Sequence, residues 1–317
     1  MNSLITGITG FAGGYLAEHL LAAGNPVLGT SRGGRWAVDS SSHAANRCEL
    51  VAWDVSRTDA GECGARGAIE CFAPDAIYHL AAISVPGDCG GREPTDEAYR
   101  ANVLGTQRVL ELAASLPSRP RVLVVSTSHV YASTPSSAPL NEDAALGPER
   151  GYGITKLAAE QEAAKAVAAG TDVVIARAFQ HTGPRQAPRM MLPEWAQQFA
   201  NPARPPVKVL RRNAFIDLSD VRDVVRAYRL LIAHGATGGV YNVGSGRSLR
   251  SGDVLAELAR LADPARVIEE IDSAPKQDPI ADIGRLVAAT GWRPEIAWQQ
   301  TVADTYHYWR GQTTGAP

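Results

Sequence analysis

Cysteine is scarce in this chain: Cys48, Cys63, Cys71 and Cys89 stand far apart, and no two form a C-x-x-C pair. That spacing excludes the common zinc frameworks and fits four unpaired thiols in a reducing compartment. Lysine is equally scarce, four residues against 27 arginines (31 basic residues less the four lysines). The 33 acids balance them to a net charge of −2, without the basic stripe or tail that nucleic acid or an anionic membrane surface requires. No apolar run approaches the roughly 20 residues of a membrane-spanning helix. MNSLITGITG has neither a charged leader nor a cleavage site before its glycines begin. These absences point to small-molecule work in the cytoplasm, with no metal. No internal repeat or low-complexity tract interrupts the 317 residues, which at 45% hydrophobic and 20% charged can bury one large core or two modest ones.

Short β-type runs alternate with helical stretches: SLIT, PVLGT, ELVAW, AIYHL, RVLVVS, DVVIAR and VYNVG are separated by segments such as GYLAEHLLAAG. Alternation of this kind predicts an α/β fold with parallel strands joined by right-handed crossovers. Residues 31–47 and 133–139, rich in Gly, Ser and Pro, are expected as loops. After about residue 178 the texture becomes Pro- and Arg-rich (GPRQAPRMMLP, NPARPPVK). The expected division is a dinucleotide-binding unit over 1–178 and 213–243 and a smaller C-terminal substrate-binding unit over 179–212 and 244–317.

The first strand runs into TGITGFAGGYLAEHLL, which places Gly7, Gly10 and Gly13 in a G-x-x-G-x-x-G turn opening a helix. The first glycine permits the tight turn and the second lets backbone approach a pyrophosphate. The third lets the helix pack on the strand with its positive N-terminus toward the anion. Asp54, in WDVS after the third strand, is a candidate for the adenine amino group, though a capping role is the commoner one at a strand end. Further on, GYGITKLAAE sets Tyr152 four residues ahead of Lys156, one turn apart on one helical face. Nine tyrosines and four lysines give about one such pair per ten chains by chance, so the pair needs company.

Company comes from TGITGFAG, YHLAAIS, NVLGT, VVSTSHVYA, YGITK and ARAFQHTGP taken in order, followed by DLSDVRDVVRAY, GGVYNVGSG and TGWRPEI. Over nearly its whole length the chain resembles the extended short-chain dehydrogenase/reductases that act on nucleotide sugars. Within them it is most similar to the GDP-4-keto-6-deoxymannose reductases and GDP-mannose dehydratases. The resemblance implies a Rossmann-type doubly wound parallel sheet and an NAD(P)H-dependent reduction of a 4-keto nucleotide sugar, with an NAD-dependent 4-epimerase as the alternative. It implies Tyr152 as proton donor or acceptor, Lys156 as its support and Thr127 as the third catalytic residue. Bringing a phenol from about 10 to near 7 takes about 4 kcal/mol, which the neighbouring Lys156 cation is expected to help supply.

The resemblance also implies a cofactor site made of Gly7, Gly10, Phe11, Ala12, Gly13, Ser31, Arg32, Asp54, Val55, Leu80, Ala81, Ala82, Tyr99, Asn102 and His181, with Tyr152 and Lys156 at the nicotinamide ribose. The substrate would meet Ser84, His129, Gln180, Arg185 and Arg211. His79 is expected in the core. Relatives commonly carry arginine where Ile216 stands, so either the diphosphate is held differently, with Arg211, Arg212 and Lys276 nearby, or the substrate is unusual. Gln180, where relatives have asparagine, is expected to tune substrate shape. Dehydratases place an acid two residues after the catalytic threonine; Thr127, Ser128, His129 offers none, so no 4,6-dehydratase activity is expected. The second strand ends in PVLGTSRGGR without the Asp or Glu that selects NAD. Thr30, Ser31 and Arg32, with Arg35 behind them, suit a 2′-phosphate, so NADP(H) is favoured and NAD(H) remains open. Small-residue faces over 99–116 and 152–169 suggest a homodimer built on two helices from each subunit.

Overall fold

The computed structural model describes residues 1–36, 43–45, 47–57, 60–133 and 137–314, with 60–63 and 314 as backbone alone; parts of both Ser-rich stretches therefore lie outside the described residues. Strands β1 (Ser3–Thr6), β2 (Val27–Ser31), β3 (Glu49–Ala52), β4 (Ala76–His79), β5 (Arg121–Thr127) and β6 (Val173–Ala178) belong to one sheet. Later come β7 (Gln180–Thr182), β8 (Val207–Val209), β9 (Ala214–Ile216), β10 (Leu218–Asp220), β11 (Val240–Val243), β12 (Leu249–Arg250), β13 (Ile268–Glu270) and β14 (Lys276–Gln277). The helices are α1 (Phe11–Ala22), α2 (Ala60–Phe72), α3 (Asp96–Tyr99), α4 (Gly105–Ser115), α5 (Gly151–Ala168), α6 (Met191–Ala200), α7 (Val221–His234), α8 (Ser251–Ala262), α9 (Gly284–Thr290) and α10 (Trp298–Thr314).

Every residue of β1, β2, β4 and β6 is buried, whereas β3, at the edge, is half open. Continuous apolar strands of this kind belong inside a parallel sheet covered by helices on both faces. The order is β11-β6-β5-β4-β1-β2-β3, all parallel. The chain therefore grows outward from β1 to β3 and then restarts on the other side of β1 with β4. Between β1 and β4 the connections diverge, leaving a crevice at the carboxyl ends of the strands, the position where doubly wound sheets bind ligands. One face is covered by α1 and α7 (Leu16, Leu20, Val224, Tyr228), the other by helices carrying Ile69, Val109, Leu112 and Ala163.

A second apolar core joins Trp195 and Phe199 of α6, Val207 and Val209 of β8, Leu255 and Leu258 of α8, and Val302 and Tyr306 of α10. Ala214, Ile216 and Leu218, expected with the dinucleotide unit, pack here instead. The reason is local pairing: β9 hydrogen-bonds β12 and β14, so the chain returns to the large sheet only at α7. Asp217 ties this core to the loop after β11. Its buried carboxylate accepts hydrogen bonds from Ser245 N (2.6 Å), Ser245 Oγ (2.7 Å), Gly246 N (3.1 Å) and Ala281 N (3.0 Å). Burial pushes that carboxyl upward and the four donors oppose the shift.

Candidate active site

Gly7 leaves β1 with φ +70°, and a β-carbon there would lie 2.8 Å from the Ala81 backbone. A β-carbon at Gly13 would lie 2.4 Å from Gly7 O. The turn thus exists only for glycine at both positions. Helix α1 starts at Gly10, which has no side chain to cap it. The first intrahelical bond runs from Gly14 N to Gly10 O, so Phe11, Ala12 and Gly13 keep N–H groups without helical partners. Three free donors at a positive helix end form an anion cradle. Leu80, Ala81 and Ala82, half-buried after β4, wall the crevice, with Ala81 N held by Thr6 Oγ1 at 3.3 Å. At the end of β2 the buried Thr30 and Ser31 hydroxyls lack hydrogen-bond partners, an orphaned pair of the kind a bound ribose satisfies. Arg32 and Arg35 are exposed beyond them.

The catalytic candidates meet across β5 and α5. Gly151 N donates to Gly91 O at 2.6 Å, and a β-carbon at Gly151 would stand 2.0 Å from Cys89 O. At Gly153 it would stand 2.2 Å from His129 O. Backbone therefore packs on backbone either side of Tyr152, which brings the phenol to Thr127 and its ring edge-on to His129, 5.5 Å between centroids. Burial pushes the Tyr152 hydroxyl up to about 12, with the Thr127 side chain partly opposing it. Desolvation of the phenolate is the largest cause, and the direction is opposite to the lowering expected from a neighbouring Lys156. Lys156, itself buried, is pushed down to about 8, while Glu160 and Cys89 hold it up.

The uncapped glycine turn on the parallel sheet and the Thr, Tyr and Lys beyond it all lie within residues 3–244, the stretch that matches the sequence profile of one family. The chain belongs to the NAD dependent epimerase/dehydratase family. It is an NAD(P)-dependent oxidoreductase of the extended short-chain dehydrogenase/reductase kind. Among curated members, the GDP-6-deoxy-D-mannose reductase of Pseudomonas aeruginosa is 29% identical over 97% of both chains. The dTDP-6-deoxy-L-talose 4-dehydrogenase (NAD(P)(+)) of Kitasatospora kifunensis is 30% identical over 93% of this chain and 85% of its own. Two solved structures superpose with a TM-score of 0.81: RMD from Pseudomonas aeruginosa complexed with NADPH (26% identity, 98% of this chain, 100% of that one), and a putative epimerase from Burkholderia cenocepacia (31%, 98% of each).

In this member of the epimerase/dehydratase family the remaining predicted residues divide. His181 is stacked on Phe11 at 6.1 Å, and its Nδ1–H donates to Phe179 O (3.0 Å), which leaves Nε2 toward other partners. Asp54 Oδ1 accepts from Ser56 N (3.0 Å) and Ser56 Oγ (2.7 Å), a capped turn that also fixes Val55. Asn102 spends its amide inside the protein, on Ile83 N and O and on Thr155 Oγ1, so it shapes the loop after β4 and does not reach out as a ligand. Ser84 is exposed, and so is Tyr99. His129 is exposed at the surface of its turn, and desolvation lowers its imidazole pKa against the pull of Asp278.

Three substrate candidates have protein partners instead. Arg185 pairs with Glu18 (2.6 and 2.9 Å) and lies over the Tyr15 ring at 3.8 Å; it braces the loop after β7 against α1. Arg211 pairs with Asp272, although its buried Nε stays unbonded. Gln180 Nε2 donates to Asp278 Oδ2 (2.8 Å), whose other oxygen meets Lys276 at 2.7 Å. Ile216 is buried in the second core and offers nothing to a phosphate. His79 sits in the core, as expected. Thr106 donates to Asn102 O, so His79 Nε2–H donates to Thr106 Oγ1 (3.0 Å) and Nδ1 accepts from Thr6 (2.7 Å). Sequence reasoning missed Gly151, Gly153, Asp278 and the Glu160–Arg177 pair. Single glycines and one of two glutamates in an alanine-rich helix carry no signal of what they will touch.

Proposed function

We propose that the chain is an NAD(P)H-dependent reductase of a 4-keto nucleotide sugar of the GDP-4-keto-6-deoxyhexose type. The observation that carries this reading is Tyr152, a phenol kept protonated beside Thr127 with Lys156 one turn behind it. A reductase needs a proton donor poised at the ketone oxygen. When bound, the nicotinamide dinucleotide supplies the hydride that forms the new C–H bond. The uncapped N–H groups of Phe11, Ala12 and Gly13 hold its pyrophosphate, and Thr30, Ser31 and Arg32 its ribose end. Thr127 hydrogen-bonds the ketone oxygen while Tyr152 transfers its phenolic proton there and recovers one from solvent. Lys156 stabilises the transient phenolate and holds the nicotinamide ribose. The GDP-6-deoxy-D-mannose reductase similarity supports the substrate class. His129 occupies the place where a dehydratase needs a carboxylate, so dehydration is not part of the chemistry. The sheet with α7 forms the dinucleotide unit and the second core the substrate unit. The outer sides of α4 and α5 form a homodimer interface, and the enzyme works in the cytoplasm.

The test is NADPH-dependent reduction of GDP-4-keto-6-deoxymannose, with product identified by mass and NMR. Stoichiometric NAD in the purified protein, together with interconversion of two sugar epimers without added reductant, would replace this reading by the 4-epimerase.

A further inference from the structure

Tyr152, Lys156 and Glu160 follow one another at i, i+4 and i+8 along α5, so they lie on one face of the helix. The third member is a buried carboxylate clamped to the sheet. Ser126 Oγ donates to Glu160 Oε1 at 2.5 Å. Arg177 donates to the same carboxylate through Nε (3.0 and 3.3 Å) and Nη2 (2.8 Å). Ser126 and Arg177 are register partners on adjacent strands, β5 and β6, so a single cross-strand pair grips the helix. Arg177 is anchored in turn by the Tyr131 hydroxyl (3.1 Å) and Glu142 O (3.0 Å), and Tyr131 donates to Asn242 Oδ1 (2.6 Å).

We infer that Glu160 is a positioning residue for Lys156: the Ser126–Glu160–Arg177 clamp fixes the rotation of α5 about its axis and holds a carboxylate one turn from the buried ammonium. The inference rests on the reading of Lys156 as a catalytic residue. The backbone contacts of Gly151 and Gly153 and the Asn102–Thr155 hydrogen bond hold the start of α5; the clamp adds a polar fixed point further along the helix, on the face that carries Lys156. The charge is needed because the neighbourhood of Lys156 supplies little else. From β4 it meets His79, which burial holds neutral down to about pH 3; from the loop after β4, Cys89, whose thiol burial pushes upward; from its own helix, Tyr152, also protonated. The Glu160 carboxylate is the main charge that counters the desolvation of the ammonium. Buried ion pairs are poor sources of stability, since desolvation cancels most of the attraction, so a placement role explains this one better than a stabilising role does.

The experiment follows the Lys156 side chain directly. Protein labelled at lysine Cε and Nζ has four lysine signals, and the one lost in Lys156→Arg is assigned and titrated in the dinucleotide-saturated enzyme. In Glu160→Gln, which keeps the shape and loses the charge, the midpoint falls by about one pH unit. The protonated fraction at pH 9 then falls about tenfold, and the alkaline limb of kcat moves with it. In Glu160→Asp, which keeps the charge and loses the reach, the midpoint stays and kcat falls several-fold. An unmoved midpoint in a folded Glu160→Gln protein, even one of lower melting temperature, overturns the inference. If Glu160→Gln does not fold, Ser126→Ala decides: released rotation lowers kcat several-fold at constant cofactor KM, and an unchanged kcat overturns the positioning claim. Because the titration is read without turnover, it stands even where no sugar substrate is reduced; that outcome would count only against the proposed function.

Discussion

Helices α1 and α5 both carry glycine in or just before the first turn and both lack a side-chain cap, yet the two N-termini have opposite fates. At α1 the glycines clear space so that the chain can fold back on itself at Gly7 and Gly13, and the N–H groups of Phe11, Ala12 and Gly13 are left open. At α5 the glycines clear space for the carbonyls of Cys89 and His129, and the first N–H is already taken by Gly91. One end presents open N–H donors, and the other packs backbone against backbone around a tyrosine. Under the proposed function the same residue type would serve ligand binding in one place and catalytic alignment in the other, and a substitution at each should separate the two.

The sharpest break is Tyr152→Phe, which keeps the ring but removes its hydroxyl proton. Turnover should fall by about 10² to 10⁴ with NADPH affinity changed less than about threefold. Near-normal turnover would remove Tyr152 from the mechanism. Next is Gly151→Ala, whose methyl group must displace the Cys89 carbonyl and shift Tyr152. Since misplacement by an ångström costs up to about a hundredfold, kcat should fall by about 10 to 10² while NADPH still binds. Gly13→Ala should do the reverse, raising the NADPH dissociation constant at least about tenfold by lifting α1 from the turn. Isothermal titration of both variants checks the comparison, and parallel losses of binding in the two would erase it.

Smaller effects lie at the margins of the cradle. Arg32→Ala should erase an NADPH-over-NADH preference of about tenfold in kcat/KM, with NADH use unchanged. A preference that survives the substitution would free Arg32 of that role. His79, between the two ends, should affect stability alone. Burial lowers it from 6.5 to about 3, so between these values the unfolded chain binds a proton that the folded one refuses. Stability is therefore unaffected above pH 6.5 and declines as pH falls toward 3, by up to about 1.4 kcal/mol per unit. Denaturant midpoints at pH 7, 5 and 4 measure it, and a flat profile would remove this titration from the acid response.

Alternation of apolar strands with helices was legible because a parallel sheet buries both faces of each strand, which leaves continuous runs such as RVLVVS and DVVIAR. The Gly7–Gly13 turn was legible because its partners are a few residues apart. So was the Tyr152–Lys156 pair, set by one helical turn. What the sequence left hidden depends on contacts between distant segments. Glu160 reads like its neighbour Glu162, as an acid in an alanine-rich helix, until β5 and β6 bring Ser126 and Arg177 to it. Arg185 reads as a substrate cation until α1 presents Glu18 and Tyr15. Ile216 reads as a lost arginine until β9 carries it into the second core.

Local periodicity and glycine placement therefore determined the sheet and the cradle, and set Tyr152 and Lys156 one turn apart on one helical face. How much water either group keeps was decided by tertiary packing alone, because the segments that surround them come from distant parts of the chain, and desolvation pushes the phenol up and the ammonium down.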